Sequence, residues 1–382
     1  MRAFKNSIAQ DNVQFPIETV IEPIAGENYS RAVIFMSLEL AAENLPGVAN
    51  PQAGAKYELT SVSYGDVTGG ALKKQLVPFF NAAPTAKLAV ALFDKDTVDS
   101  ESSAVTPAKA PLETVYNAHK YYAYFKFALA PAADNTAVQT ELAQLCLADP
   151  LYSQLWVGTS DAAVLSGSSA LLSSLNGAGA DARVIYNPDA DINPALAQLG
   201  DTLATVNATG TPVGNDMDMH AFSTIGASGS DDDQGSPQNL TGLQKTALDN
   251  QRVGYQTWVG DGTENVVTEG SMTLKGNSVG AQWVKSYIEY MCKIRTANFI
   301  TQRNKFRNNA QYQAILCIVS DEVKPFVDFG RLDGFEITAP LFSELPASAD
   351  AITVPDAWKA QYVDRVRTVT VYGTLYITQP SK

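Results

Sequence analysis

The sequence predicts an α/β protein: a layered α/β core with a mostly parallel sheet, plus extended N- and C-terminal β arms. Short apolar runs alternate with helix-period stripes through the middle of the chain, as in Leu155 to Gly158, the stretch after Asp161, and Ala182 to Tyr186. A strictly alternating segment closes the C-terminus, and a shorter one, interrupted by prolines, lies near the N-terminus.

In chain order, residues 1–30 read as an extended arm. Phe15, Ile17 and Ile21 recur at even spacing, and Pro16 and Pro23 suit an edge or a free arm better than a central strand. Residues 31–225 form the α/β region. Arg31 to Leu38 is a near-continuous apolar run that fits a buried strand, and Tyr57 to Tyr64 is a second candidate. Leu72, Leu76, Val77 and Phe80 share one helical stripe, and Leu88 to Phe93 is again a buried strand. Asp94 to Ala110 is polar and then rich in Pro and Ala, hence a loop. Leu112 to Leu129 admits two readings. Pro111 at a first helical position favours a helix, while the aromatic run from Tyr121 to Phe127 also suits a strand; a helix is expected.

Val138, Leu142, Leu145 and Cys146 mark the next helix. Asp161 caps another, through Leu175, with Asn176-Gly177 as its stop. Pro194 opens a helix to about Thr205, and Met217 to Ile225 is strand-like. Residues 226–242, rich in Gly, Ser and Asp around Asp231, Asp232 and Asp233, read as a mobile loop or a boundary. Residues 243–360 form a second region. Its strands are expected at Val253 to Val259 and Gly270 to Leu274. Val279, Trp283, Val284, Tyr287, Ile288, Met291 and Cys292 then make one long helical stripe, with a Glu289–Lys293 pair on its outer side. A helix over Asn308 to Ser320 and extended chain from Val327 to Ile337, around an Asp333-Gly334 turn, complete the region. Residues 361–382 are the C-terminal arm: Val369, Val371, Leu375 and Ile377 face one way, Thr368, Thr370, Tyr372, Thr374 and Tyr376 the other.

Composition narrows the function classes. Of 382 residues, 45% are hydrophobic, enough for a buried core. Only 18% are charged, which leaves much of the surface for partners, against roughly 25% in ordinary soluble domains. The net charge of −13 argues against a nucleic-acid partner, which needs a basic face. The most basic stretch, with Arg295, Arg303, Lys305 and Arg307, reads as a solvated helix end. Cys146, Cys292 and Cys317 are widely spaced with no CxxC pair, so neither zinc nor a disulfide framework is expected, in keeping with a reducing cytoplasm. Met1 to Gln10 lacks the apolar core of a signal peptide, and no run reaches the ~18 apolar residues of a membrane span.

No cofactor, metal or catalytic centre is expected. The chain has two histidines. His119 sits among aromatics, where a packed role is favoured, and His220 follows Asp216 and Asp218. Those two acids and His220 would share one strand face, the sharpest candidate for a hard cation or a hydrolytic site, but no second carboxylate group accompanies them. Asp231 to Asp233 lack the calcium-loop pattern, and Gly260 to Thr263 lack the GxxxxGK[ST] spacing that cradles phosphate. There is no GxSxG, no HExxH, and no GxGxxG after a strand.

Several stretches carry a family resemblance. Gly65 to Ala91 looks like a helix with paired aromatics followed by a strand. Gly254 to Gly260, around Trp258, and Val266 to Thr273 followed by the helix through Trp283 and Met291, look like a strand, turn and helix of one domain. Arg365 to Ile377, with Gly373 in place of small residues, looks like a terminal strand. Together they resemble the contractile tail sheath proteins of myovirus-type phages and related injection systems. The arginine-threonine pair usual after the tryptophan strand is replaced here by Gly262-Thr263. The resemblance implies a virion structural protein without enzymatic activity, assembled in the host cytoplasm. Its subunits would stack as hexameric rings around a tail tube, between baseplate and tail terminator proteins. Phe15, Ile17, Ile21, Val369, Val371, Leu375 and Ile377 would exchange strands between subunits. A baseplate or capsid protein, and more distantly an α/β hydrolase, are the alternatives.

Overall fold

Runs that are apolar at every position fit only strands buried on both faces, and the structure places them so. The computed structural model describes residues 31–44, 51–60, 75–76, 79–94, 110–149, 153–188, 193–209, 220–221, 240–259, 265–269, 272–301, 308–344 and 358–363. Its strands are β1 (Ala32–Ser37), β2 (Lys56–Leu59), β3 (Leu88–Phe93), β4 (Phe125–Leu129), β5 (Gln154–Thr159), β6 (Arg183–Tyr186), β7 (His220–Ala221), β8 (Gly254–Val259), β9 (Asn265–Glu269), β10 (Leu332–Ile337) and β11 (Trp358–Tyr362). The helices are α1 (Leu38–Asn44), α2 (Leu112–His119), α3 (Asn135–Ala148), α4 (Ala170–Gly177), α5 (Pro194–Thr209), α6 (Gly242–Asn250), α7 (Val279–Thr301) and α8 (Asn309–Asp328).

Among the described residues, nine strands form one sheet in the order β2-β3-β1-β4-β5-β6-β8-β9-β7. The stretch from β3 to β8 is parallel throughout. β2, β9 and β7 are added antiparallel at the two margins. This mostly parallel sheet matches the expected α/β class. The sheet also takes strands from both sides of residues 226–242 in the chain, since β8 joins β6 directly.

Alternation along each strand divides the core into two layers. Ile34, Val90, Phe127, Trp156 and Ile185 face one side, where α5, α7 and α8 cover them with Leu196, Leu199, Val284, Ile288 and Phe326. Phe35, Ala89, Val157, Val184 and Tyr255 face the other, under α2, α3, α4 and α6 through Val115, Leu142, Leu172 and Leu248. Each large aliphatic or aromatic side chain so buried contributes about 1.5–3 kcal/mol. Helices on both faces of a parallel sheet are the layered arrangement the sequence predicts.

Several local expectations are refined. Leu112 to Leu129 is not one helix: α2 ends at His119, a 3-10 turn spans Lys120–Tyr122, and extended Ala123 leads into β4. The aromatic run thus satisfies the strand reading, because Phe125 and Phe127 fill one core layer. Asp161 caps only the 3-10 turn Ala162–Ser166. Gly167 breaks that turn with positive φ, and Ser169 caps α4 afresh. The strand expected at Gly270 to Leu274 lies earlier, as β9, and Met272 makes only an isolated bridge to Ser278. α8 runs to Asp328 with Pro325 inside it, longer than the expected Asn308 to Ser320. Lys293, expected on the outer side of α7, is buried, while Glu289 faces Lys285 at 3.9 Å.

Candidate functional site

In open α/β sheets, ligands bind outside the carboxyl ends of the strands. At β5 and β6 those ends are occupied by the protein's own caps. Asp161 accepts a hydrogen bond from the Ala163 amide (2.9 Å) and another from the Ser169 hydroxyl (2.8 Å). The Asn193 side-chain oxygen accepts from the Ala195 and Leu196 amides and so starts α5. That cap presses on Gly158, where a Cβ would lie 2.3 Å from the Asn193 oxygen. The closeness explains a glycine in an otherwise bulky strand.

A cleft of about 180 Å³ lies instead at the amino ends of β4, β5 and β6, lined by Tyr124, Cys146, Gln154, Asp181, Asn277 and Gln282. It is smaller than the ~300 Å³ at which small-molecule sites begin. The titratable groups nearby serve packing. Burial pushes the Cys146 thiol up to about 12 and brings the Lys126 amine down to about 7. Tyr116 hydroxyl lies 2.7 Å from Ser153 Oγ, and Lys120 Nζ donates to Asp149 at 3.0 Å, which ties α2 and the 3-10 turn to the end of α3. Arg183 is wholly buried; it donates to the Met272 carbonyl (3.2 Å) and to Gln198 (3.5 Å). Gly254 leaves room for it, since a Cβ there would come within 2.5 Å of the guanidinium.

The exposed feature with a capacity for partners is the second sheet. β10 and β11 pair only with each other among the described residues, antiparallel, with a bulge between Asp333 and Phe335. One face, with Phe335, Trp358 and Ala360, rests partly buried against the core beside α8. The other carries the exposed Asp333, Glu336, Lys359 and Gln361. Phe329, Ile337, Leu341 and Val363 stay exposed around the same unit, Leu341 at 64%. A two-stranded sheet is marginal by itself, and among the described residues no third strand pairs with either of its outer edges, where a strand could be added. The sequence carried a signal for it that periodicity reading missed: Trp358, Ala360 and Tyr362 alternate with Lys359 and Gln361.

Few of the sequence-predicted site residues are among the described ones. Phe15, Ile17, Ile21, Val369, Val371, Leu375 and Ile377 lie outside the described residues, as do Asp216, Asp218 and Asp231 to Asp233. His220 lies on β7 opposite Thr268 of β9. His119 ends α2, with Nε2 3.2 Å from the Gly54 carbonyl oxygen, and burial lowers its pKa from the ordinary histidine value. Among the described residues no group of His, Cys, Asp or Glu could hold a metal ion, and no helix is long and apolar enough to cross a membrane. Of the basic stretch, Arg303, Lys305 and Arg307 lie outside the described residues, and the part-exposed Arg295 is engaged by two carboxylates. It pairs with Glu322 and with Asp321 (3.3 Å), joining α7 to α8.

No family model matches the sequence, and no curated protein matches it. Solved structures do. A chain of the contracted helical sheath of the anti-feeding prophage, determined by cryo-electron microscopy, superposes with a TM-score of 0.63 at 12% identity. That match covers 94% of this chain and 99% of the other. A chain of the six-fold-symmetrised baseplate of the same prophage gives 0.64 at 13% identity, covering 91% of this chain and 94% of that one. At such identity the likeness is one of fold: the chain has a fold found in contractile, tail-like assemblies.

Proposed function

We propose that this chain is a structural subunit of a contractile tail sheath, polymerising as stacked hexameric rings around a tail tube and contracting to drive that tube through a host envelope. The observation that carries the reading is the near full-length fold match to a contracted sheath chain, 94% of one by 99% of the other. The half-covered β10–β11 sheet supplies a physical rationale. Its edges, which pair with no other described strand, would accept the alternating strand of a neighbour, carrying Val369, Val371, Leu375 and Ile377, and the N-terminal arm with Phe15, Ile17 and Ile21. Donor and acceptor are different surfaces, so the contact is heterologous and propagates. Main-chain pairing along the arms would persist while core interfaces repack between two arrangements. The partners are then further copies of this chain, the tube, and the baseplate and terminator proteins at the tail ends.

The baseplate match favours a second reading, a baseplate component that forms a single ring. Electron microscopy of the concentrated purified protein separates the two. Sheath subunits form extended tubes, whereas a baseplate subunit gives isolated rings or stays dispersed. Dispersed monomers at every concentration and salt tried would sink the sheath proposal.

A further inference from the structure

The first and last described strands of the chain, β1 and β11, are of very different build. Residue 31 runs directly into β1, an inner strand whose six residues are all buried. β1 is paired on both sides, over six positions with β3 and five with β4. At its root, Arg31 lies 5.1 Å and Lys56 Nζ 3.4 Å from the centre of the Tyr122 ring. The Tyr122 hydroxyl donates to Glu58 at 2.5 Å, and Glu58 also meets Lys87 at 2.9 Å. The amide of Phe125 donates to the Arg31 carbonyl at 3.1 Å, so main chain and side chain are held together. Two cations on one phenol ring, itself anchored by a carboxylate, make a clamp between the start of β1 and the marginal strand β2. The last described strand, β11, by contrast pairs among the described residues only with β10, over five positions and across a bulge. Lys359 and Gln361 of that strand are exposed.

We propose that the two tethers are built to unequal strength: the N-terminal one, rooted on β1 through the Arg31–Tyr122–Glu58 clamp, holds until the subunit unfolds, and the C-terminal one, rooted on β11, yields first. Tension entering at Arg31 and directed along β1 loads two ladders at once in shear. Tension entering at residue 364 acts, among the described residues, on one short ladder that can peel bond by bond. The strand-exchange reading gives these tethers their purpose, and the inference rests on it to that extent. In a lattice held by both arms, the β10–β11 unit would be the compliant joint when core domains rotate, and Tyr122 a positioning residue that keeps the N-terminal root fixed.

Optical-tweezers measurements on single full-length subunits test this without any assembly. With Cys317→Ser removing the exposed native thiol, handles are placed at Ser30→Cys or Asp364→Cys, each against Glu113→Cys on α2. The Asp364 handle is expected to show a separate low-force step before global unfolding, and the Ser30 handle to show none. Tyr122→Leu should lower the rupture force on the Ser30 handle and leave the low-force step on the Asp364 handle unchanged. Tyr122→Phe, which keeps the ring and loses the Glu58 bond, should fall between. An early step on the Ser30 handle, its absence on the Asp364 handle, or an equal effect of Tyr122→Leu on both would overturn the proposal. Because the readout uses isolated subunits, a failure to form tubes would count against the sheath reading and leave this result standing.

Discussion

Lys126 shows how a single side chain can disguise an element. It sits wholly buried on β4 between Phe125 and Phe127, and its ammonium donates to the carbonyls of Lys120 (2.6 Å) and Ala123. Those carbonyls belong to the 3-10 turn and the residue after it, so Lys126 caps the turn that converts α2 into β4. Burial brings its pKa from 10.5 down to about 7, with Cys146 and Asp149 opposing the shift and Lys120 adding to it. The unfolded chain therefore binds more protons between those two values, and this group's contribution to stability rises with pH across that window and is lost as pH falls towards about 7. Denaturant unfolding from about pH 7 to about pH 8, short of the ordinary thiol pKa of about 8.5, should show a rise in stability that is smaller in the Lys126→Met protein. A variant with the same slope as the wild type would mean that the amine is solvated in the folded state. In the sequence, a lysine amid aromatics gave no hint of its burial, because the partners are main-chain carbonyls that no side-chain pattern records.

At the scale of elements, the legible parts were those in which local pattern and tertiary environment agree. β1 and β3 are apolar at every position because both faces are covered, and the stripe through Trp283, Tyr287 and Ile288 is the face α7 turns to the sheet. The stretch after Asp161 was harder to read. A capping acid and an apolar run predict one helix, but Gly167 divides it into two short pieces that repack separately. The β10–β11 pair was half read, because a bulge shifts its register and its two strands are far apart in sequence. The donor strand proposed to join it has a testable facing. Val371→Asp puts an acid on the face taken to be buried against the acceptor sheet, at a cost on the order of a few kcal/mol, whereas Thr370→Asp puts it on the opposite face. Sedimentation of assembled material should fall sharply for the first and little for the second, with the monomer remaining folded in both. Equal losses would refute the assignment of Val369, Val371, Leu375 and Ile377 to one contact face.

For the molecule as a whole, the described residues form a three-layer body carrying a small sheet that they cover on one face. The carboxyl ends of β5 and β6, where an α/β enzyme would keep an open crevice, are taken up by the Asp161 and Asn193 caps. Among the described residues, the exposed apolar side chains Phe329, Ile337, Leu341 and Val363 gather around β10 and β11. If a neighbour's C-terminal strand completes that sheet, each subunit is donor to one copy and acceptor to another, and growth has a direction. A chain lacking residues 365–382 keeps its acceptor edge and loses its donor. It can receive a strand from the growing lattice but cannot pass one on. Mixed into full-length protein, it should therefore act as a terminator, shortening tubes in proportion to its fraction while alone it stays folded and unassembled. An isologous contact behaves otherwise: donor and acceptor would be the same patch, the truncated chain would be left out, and the tubes would become fewer without becoming shorter. Tube lengths counted by negative-stain microscopy over a series of mixing ratios distinguish these outcomes, and unchanged lengths at equal parts of the two chains would rule out directional strand donation through the C-terminal arm.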